Sequence, residues 1–326
     1  MKITIYACRA DEAAYLDEFR KKHNVDLVPT KELPSMENVD LAKGSECISV
    51  LTAPIHEELL KAYYDVGVRY ISTRSIGYDH IDLNAAKKLG IHIGNVSYSP
   101  NSVADYTVMM MLMAIRKVKY VLSRNTVQDY SLRGTKGLEM HNLTVGVIGT
   151  GRIGRTVLQN LTGFGCRLLA YDLYPNDSVR EIAEYVPLEE LLHQSDLITL
   201  HMPATKENFH MINRDTISQM KDGVILVNTA RGSLIHTEDF MDAVESGKIG
   251  AAALDVIENE TGLYYKNHKG KVLQNRAFSV LQSYPNVLLT PHIAFHTDQA
   301  VKDMVENSIK SCILFSKKAQ NQWQII

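Results

Sequence analysis

An α/β protein built from two doubly wound parallel sheets is what the sequence predicts, and three observations carry the prediction. Short β-rich apolar runs alternate with helical stretches along the whole chain of 326 residues, the pattern of parallel strands joined by crossover helices. Residues 143–172 read as strand, glycine turn, helix and strand, with Gly149, Gly151 and Gly154 at G-x-G-x-x-G spacing. With 45% hydrophobic and 22% charged residues the chain can bury large cores, and its length suggests about two domains.

Composition also excludes function classes. A net charge of −2 and the lack of a basic run give no footprint for nucleic acid or an anionic membrane. Residues 1–7 form a strand-like run without the long apolar segment of a signal peptide. The most apolar stretch, 108–115, lies between Asp105 and Arg116 and is too short to span a bilayer. A cytoplasmic protein is expected. Cys8, Cys47, Cys166 and Cys312 are far apart with no C-x-x-C pair, which argues for buried free thiols rather than a disulfide framework or zinc ribbon.

In chain order, strands are expected at 3–7, 27–28, 48–51, 70–73 and 91–96, with helices near 10–22, 56–64 and 82–89. The first β-to-α turn, Ala7-Cys8-Arg9-Ala10-Asp11-Glu12, has no glycine and carries two acids. This half is therefore unsuited to a phosphate and is expected to serve a substrate. Ser99-Pro100-Asn101-Ser102 opens a helix to about residue 121, apolar on nearly all sides. Such a helix is buried between layers or domains, or against another subunit.

The glycine-turn unit follows. Gly149 permits the tight turn, Gly151 lets the backbone approach a pyrophosphate, and Gly154 lets the helix lie close on the strand. N–H groups at the helix start favour the phosphates' charge. The second strand, 167–171, ends in Asp172, whose carboxylate can accept bonds from both ribose hydroxyls of an adenosine. That charge would repel the 2′-phosphate of NADP, and Leu173-Tyr174-Pro175-Asn176 offers no arginine to receive one. NAD is the cofactor expected.

Alternation then resumes, with strands at 196–200, 224–227, 251–254 and 287–289 and helices at 215–220 and 237–245, completing a sheet of about six strands. Residues 261–276 read as an irregular loop, and a helix near 297–318 closes the chain. Ligands gather at the carboxyl ends of such strands. There stand His201-Met202-Pro203, Asn228-Thr229-Ala230-Arg231-Gly232, Asp255 to Glu260, and Thr290-Pro291-His292.

Alone, Arg231, Glu260 and His292 each have a bland reading as solvated or structural groups. Together at successive strand ends beside a nicotinamide site they make a chemical constellation. Hydride transfer to a ketone leaves an alkoxide that needs a proton, which a histidine donates best near neutral pH. A carboxylate beside it favours the imidazolium and fixes its tautomer. A guanidinium binds the carboxylate of a 2-oxo acid with two prongs, which lysine cannot do.

Gly149 to Gly154 with Asp172, Asn228-Thr229-Ala230-Arg231-Gly232, Ala253-Leu254-Asp255-Val256 with Glu260, and Thr290-Pro291-His292 resemble the signatures of the D-isomer-specific 2-hydroxyacid dehydrogenases. The resemblance covers nearly the whole chain. It looks closest to the D-lactate dehydrogenase branch, including the vancomycin-resistance type, through Ser72 to Gly77, Asn95 to Pro100 and Pro291 to Phe295. It implies a flavodoxin-like substrate (catalytic) domain of residues 1–98 plus 296–326 and a Rossmann NAD-binding domain of 99–295. His292 would be the acid/base, Glu260 its partner and Arg231 the clamp on the substrate carboxylate. Ile76, Gly77 and Tyr98 would complete the carboxylate site. Arg152 and Ile153 would face the pyrophosphate, Met202, Pro203 and Asn208 the cofactor's middle, and Thr229, Ala230 and Asp255 its nicotinamide end. Homodimers are implied, with the helix after Ser99 in the interface. His296, where relatives often carry tyrosine, leaves substrate size open.

A substrate side chain is expected to meet Tyr98, Phe295 and His296, a crowded wall that suits pyruvate and hence D-lactate. The alternatives are an (R)-2-hydroxyacid dehydrogenase for phenylpyruvate, 2-oxoisocaproate or 2-oxoglutarate, or an NAD-sensing corepressor-like scaffold. The scaffold would be expected to carry partner-binding tails, and a phosphoglycerate enzyme a C-terminal regulatory domain; neither is visible. His292 and His296 lack a nearby acid or cysteine to finish a zinc set, so no metal is expected.

Overall fold

The structure is a computed structural model describing residues 1–326, and the chain divides into two compact units: Met1–Ser99 with His296–Ile326, and Pro100–Phe295.

The first unit holds strands β1 (Lys2–Ile5), β2 (Asp26–Pro29), β3 (Cys47–Val50), β4 (Tyr70–Thr73) and β5 (His92–Gly94). All pair in parallel, in the order β2-β1-β3-β4-β5. Helices α1 (Ala13–His23), α2 (Glu57–Asp65) and α3 (Leu83–Leu89) connect them. Both faces are covered, which is why β3 and β4 are buried along their whole length. Tyr6, Ile48, Val50 and Ile71 pack with Leu60 and Tyr63 of α2 and Ala86 of α3, whereas Ile3, Ile5 and Cys47 pack with Leu16 and Phe19 of α1.

The second unit begins with one helical run that the structure breaks in two, α4 (Asn101–Ile115) and α5 (Val118–Asn125), where a single helix to about residue 121 was expected. The cause is Lys117, which turns left-handed at φ 54°. The carbonyl of Ile115 is meanwhile taken by the Leu138 N–H at 2.9 Å. Next come β6 (Thr144–Ile148), α6 (Arg152–Leu161), β7 (Arg167–Tyr171), α7 (Asp177–Arg180), β8 (Glu184–Tyr185), α8 (Leu188–Gln194), β9 (Leu197–Leu200) and α9 (Arg214–Ser218). The unit ends with β10 (Val224–Asn228), α10 (Thr237–Glu245), β11 (Ile249–Leu254), α11 (Arg276–Ser283) and β12 (Val287–Leu289). The sheet has seven strands rather than about six, in the parallel order β12-β11-β10-β9-β6-β7-β8. The extra strand, β8, spans two residues and pairs only with β7. Residues 261–275 are turns and irregular chain, as expected, before α11 begins.

The closing helix α12 (Asp298–Ser316) belongs to the first unit, where Val305, Ile309 and Cys312 complete the core over α1. Ser308 and Ser311, both fully buried, hydrogen-bond to Ser49 and Ser72 and to the Tyr70 hydroxyl. All four cysteines are free; Cys47 and Cys312 are buried, while Cys8 and Cys166 are half-buried.

Candidate active site

In the second unit the strand order reverses between β6 and β9, and the glycine turn lies at that point. Gly149 has φ 94°, and a Cβ there would lie 2.6 Å from the His201 carbonyl oxygen. A Cβ on Gly154 would lie 1.9 Å from the Gly149 carbonyl oxygen, so α6 can approach the strand only because that residue has none. At Gly151 a Cβ would meet nothing within 4 Å. Its bareness serves space outside the chain, which fits a pyrophosphate. Arg152 is exposed and Ile153 half-buried at the start of α6.

Asp172 ends β7. Its Oδ2 accepts from Thr150 N (2.6 Å) and Thr150 Oγ1 (3.0 Å), and its Oδ1 accepts from Tyr174 N (2.9 Å). A carboxylate has roughly four lone-pair sites, so Oδ1 retains capacity for a hydroxyl donor. His201, beneath the turn, is bonded to Thr199 Oγ1 at 2.9 Å. Burial pushes its pKa down to about 3, so it places no positive charge there.

The strand ends bring the remaining residues out in sequence. After β9, Asn208 spends its amide within its own loop, accepting from Thr205 N (2.7 Å) and donating to Pro203 O (2.8 Å), which shapes the segment carrying Met202 and Pro203. After β10, the buried Asn228 accepts from Ala230 N and donates to Arg231 O, at 2.9 and 2.8 Å. Thr229 bonds Thr107 of α4 at 2.8 Å. This side-chain brace presents the half-buried Arg231 on a shaped loop.

The acid and the histidine meet. His292 Nδ1 lies 2.5 Å from Glu260 Oε1, and Glu260 Oε2 accepts from Ile257 N at 3.1 Å. Both side chains are 25% exposed. With Nδ1–H given to the carboxylate, Nε2 is the nitrogen left for a reacting oxygen. His292 is held at φ 54°, a backbone region that side chains other than glycine seldom occupy. What holds it there is largely Asp255, the acid expected at the cofactor's nicotinamide end. Asp255 is fully buried, and its carboxylate accepts from Thr290 Oγ1 (2.5 Å), Ile293 N (3.0 Å) and Ala294 N (2.9 Å). The Tyr265 hydroxyl donates to His292 O at 2.7 Å from the irregular loop. Neither clamp was legible beforehand, because burial of an acid and the path of a loop are set by packing. Phe295, half-buried, ends the segment.

In the first unit Ile76 and Gly77 follow β4. Their carbonyls are taken by Asn95 Nδ2 (2.8 Å) and Ser75 Oγ (2.7 Å), while neither N–H finds a backbone acceptor. Tyr98 is half-buried, and His296 Nε2 lies 3.0 Å from Asp11 Oδ2. His292 and His296 thus have separate acid partners rather than a shared one.

A glycine-turn dinucleotide site followed by strand ends bearing arginine, acid and histidine defines an NAD-linked oxidoreductase. Residues 108–294 match the D-isomer specific 2-hydroxyacid dehydrogenase, NAD binding domain. The chain is 44% identical to a D-specific alpha-keto acid dehydrogenase of Enterococcus faecalis over 99% of both chains. It is 42% identical to an aromatic 2-oxoacid reductase of Clostridium sporogenes, over 98% of this chain and 97% of that one. The crystal structure of a D-lactate dehydrogenase from Treponema pallidum superposes with TM-score 0.90 at 34% identity, covering 100% of both chains. The chain belongs to the D-isomer-specific 2-hydroxyacid dehydrogenase family, and it is an NAD-dependent D-2-hydroxyacid dehydrogenase.

Proposed function

We propose that the enzyme reduces a small 2-oxo acid, with pyruvate to D-lactate as the leading reaction, and that His292 is its acid/base. The observation that carries this reading is the Glu260–His292 pair at 2.5 Å on a loop locked by Asp255. Bound NADH supplies the hydride. Arg231 grips the substrate carboxylate, and the N–H groups of Ile76 and Gly77 and the Tyr98 hydroxyl are the further substrate-binding groups of this reading. His292 Nε2–H gives its proton to the oxygen that becomes the hydroxyl, and Glu260 stabilises the imidazolium before that transfer. Gly149, Gly151, Arg152, Ile153 and Gly154 hold the pyrophosphate and Asp172 the ribose. Met202, Pro203, Asn208, Thr229, Ala230 and Asp255 line the rest of the cofactor, and Asp255 also holds the His292 loop.

The ring of Phe295 supports a small side chain on the substrate. Likeness to an aromatic 2-oxoacid reductase at 42% identity favours a second reading, phenylpyruvate. NADH oxidation across pyruvate, phenylpyruvate, 2-oxoisocaproate and 2-oxoglutarate tests both: the highest kcat/KM is expected for pyruvate, and a phenylpyruvate optimum would replace the first reading with the second.

We further infer a homodimer formed through α4 and α5. Val108, Met109, Leu112, Met113, Val121 and Leu122 line a groove of about 1420 Å³. Exposed apolar faces of that kind mark subunit contacts. Four free thiols and the use of NADH support a cytoplasmic setting, and no helix is long and apolar enough to cross a membrane.

A further inference from the structure

The loops that follow β9 and β11 are joined by a side-chain hydrogen bond, although β10, the strand that leads to Arg231, lies between them. His210 Nε2 is 2.6 Å from Glu258 Oε1. The other oxygen, Oε2, accepts from Thr237 N (2.9 Å) and Thr237 Oγ1 (2.5 Å). Thr237 opens α10, whose preceding residue, His236, gives no side-chain cap, so Glu258 caps that helix from a neighbouring loop.

The pair is built in from several sides. Phe209 stacks on the His210 ring at 3.7 Å, and the His236 ring lies 4.7 Å away with its Nδ1 2.9 Å from Asp239. Burial pushes the Glu258 carboxyl up, yet the bonds from Thr237 and His210 hold it below its ordinary value. His210 sits at φ 53°, and Asn259, the residue after Glu258, at φ 56°, so one end of the bridge and the neighbour of the other occupy backbone that must be held in place. Two residues beyond Glu258 stands Glu260, the partner of His292. Two residues before His210 stands Asn208, which shapes the loop of Met202 and Pro203.

We propose that His210 is a positioning residue: through Glu258 it keeps the cofactor loop, 202–208, in register with the segment that carries Glu260. The inference rests on the reading that this loop meets the cofactor and that Glu260 serves His292.

Two variants isolate the bond. His210→Gln keeps an amide N–H at the reach of Nε2, whereas His210→Ala removes it, and both carry the left-handed backbone alike. NADH affinity by fluorescence, kcat and KM for pyruvate against pH, and thermal melting are measured for each. His210→Ala is expected to weaken NADH binding about tenfold, the scale of one charge-assisted hydrogen bond, and to move the pH dependence of reduction toward acid. His210→Gln is expected to restore both to within about twofold of wild type on the same scale. NADH affinity and a pH profile unchanged in His210→Ala, whatever its melting temperature, would overturn the proposal, as would equal impairment of His210→Gln. Should His210→Ala not fold, His210→Asn, which tolerates the left-handed region, takes its place. NADH binding needs no turnover, so the two readings fail separately: an inactive wild type sinks the substrate assignment, and an unmoved NADH affinity sinks this one.

Discussion

Each unit winds its sheet in both directions from a reversal point, and the two points are furnished in opposite ways. In the first unit, between β1 and β3, the turn after β1 carries Glu12, which is 0% exposed and paired at 2.9 Å with Arg74, itself 1% exposed. Arg74 also donates to Ser49 Oγ and Tyr6 O, both at 2.9 Å, so the chain's own charges occupy this position. In the second unit the corresponding turn has Gly151, where an added Cβ would meet nothing within 4 Å. One winding yields a crevice in both cases. Whether a ligand or an internal ion pair fills it depends on a few residues of the first turn.

Breaking the filled crevice is expected to have the largest effect. Glu12→Ala leaves the Arg74 guanidinium buried without its acid, which costs about 3–5 kcal/mol of stability. Denaturant unfolding of the first unit should register that loss, while the folded fraction keeps its NADH affinity. Glu12→Leu with Arg74→Met should recover most of it, since an apolar pair of similar bulk removes the stranded charge. A single variant as stable as wild type would show that the pair does not hold this turn.

On the open side, Arg231→Lys keeps the charge and loses the planar fork, so catalytic efficiency for a 2-oxo acid should fall by roughly 3 kcal/mol, about a hundredfold. NADH affinity measured by fluorescence should stay put. Equal loss of both would place Arg231 in folding rather than in substrate binding. Asp172→Ala should weaken NADH by roughly 1.5–3 kcal/mol for each ribose bond lost and erode the preference over NADPH. Because Asp172 also fixes Thr150, part of that loss belongs to a loosened turn. A wild type that already used NADPH as well as NADH would remove the case for the acid as selector.

This contrast shows what was legible in the sequence. Glycine spacing announces an open crevice, because each missing side chain answers a steric demand of short range: Gly154 against Gly149, Gly149 against His201. Arg231, Glu260 and His292 were likewise legible as residue types at strand ends. The filled crevice was only half legible. Two acids and no glycine excluded a phosphate, but Arg74 as partner lies 62 positions from Glu12 and is brought there by the sheet. Asp255, Tyr265 and the break at Lys117 depend in the same way on long-range packing. The two-residue strand β8 has too few residues to show any periodicity.

Glu260→Gln sharpens the comparison without emptying the site. In the first unit an acid neutralises a charge that never changes; beside His292 it orients a ring that must give up its proton. Without it the Nδ1–H loses its acceptor and the ring its fixed orientation, so kcat for reduction should fall while NADH affinity by fluorescence stays put. An unmoved kcat would exclude Glu260 as the histidine's partner.

The smallest effect is expected at Phe295, the residue proposed to meet the substrate's side chain. Phe295 ends the second unit, directly after the segment clamped by Asp255, whereas Tyr98 belongs to the first. A ring at position 295 penalises bulk through packing alone, and an apolar pocket discriminates a methylene by only about 1–3 kcal/mol, so the preference should be graded rather than absolute. Phe295→Ala should therefore raise kcat/KM on phenylpyruvate relative to pyruvate by about tenfold or more, with NADH binding unchanged. Tyr98→Phe should behave differently, lowering activity on every substrate alike, because the hydroxyl it removes would serve the carboxylate that all 2-oxo acids share. Steady-state kinetics on the two acids, for the wild type and both variants, separate these effects. If Phe295→Ala leaves the ratio untouched, size is read elsewhere, and if the wild type already favours phenylpyruvate, the crowded wall is absent and the aromatic reading stands.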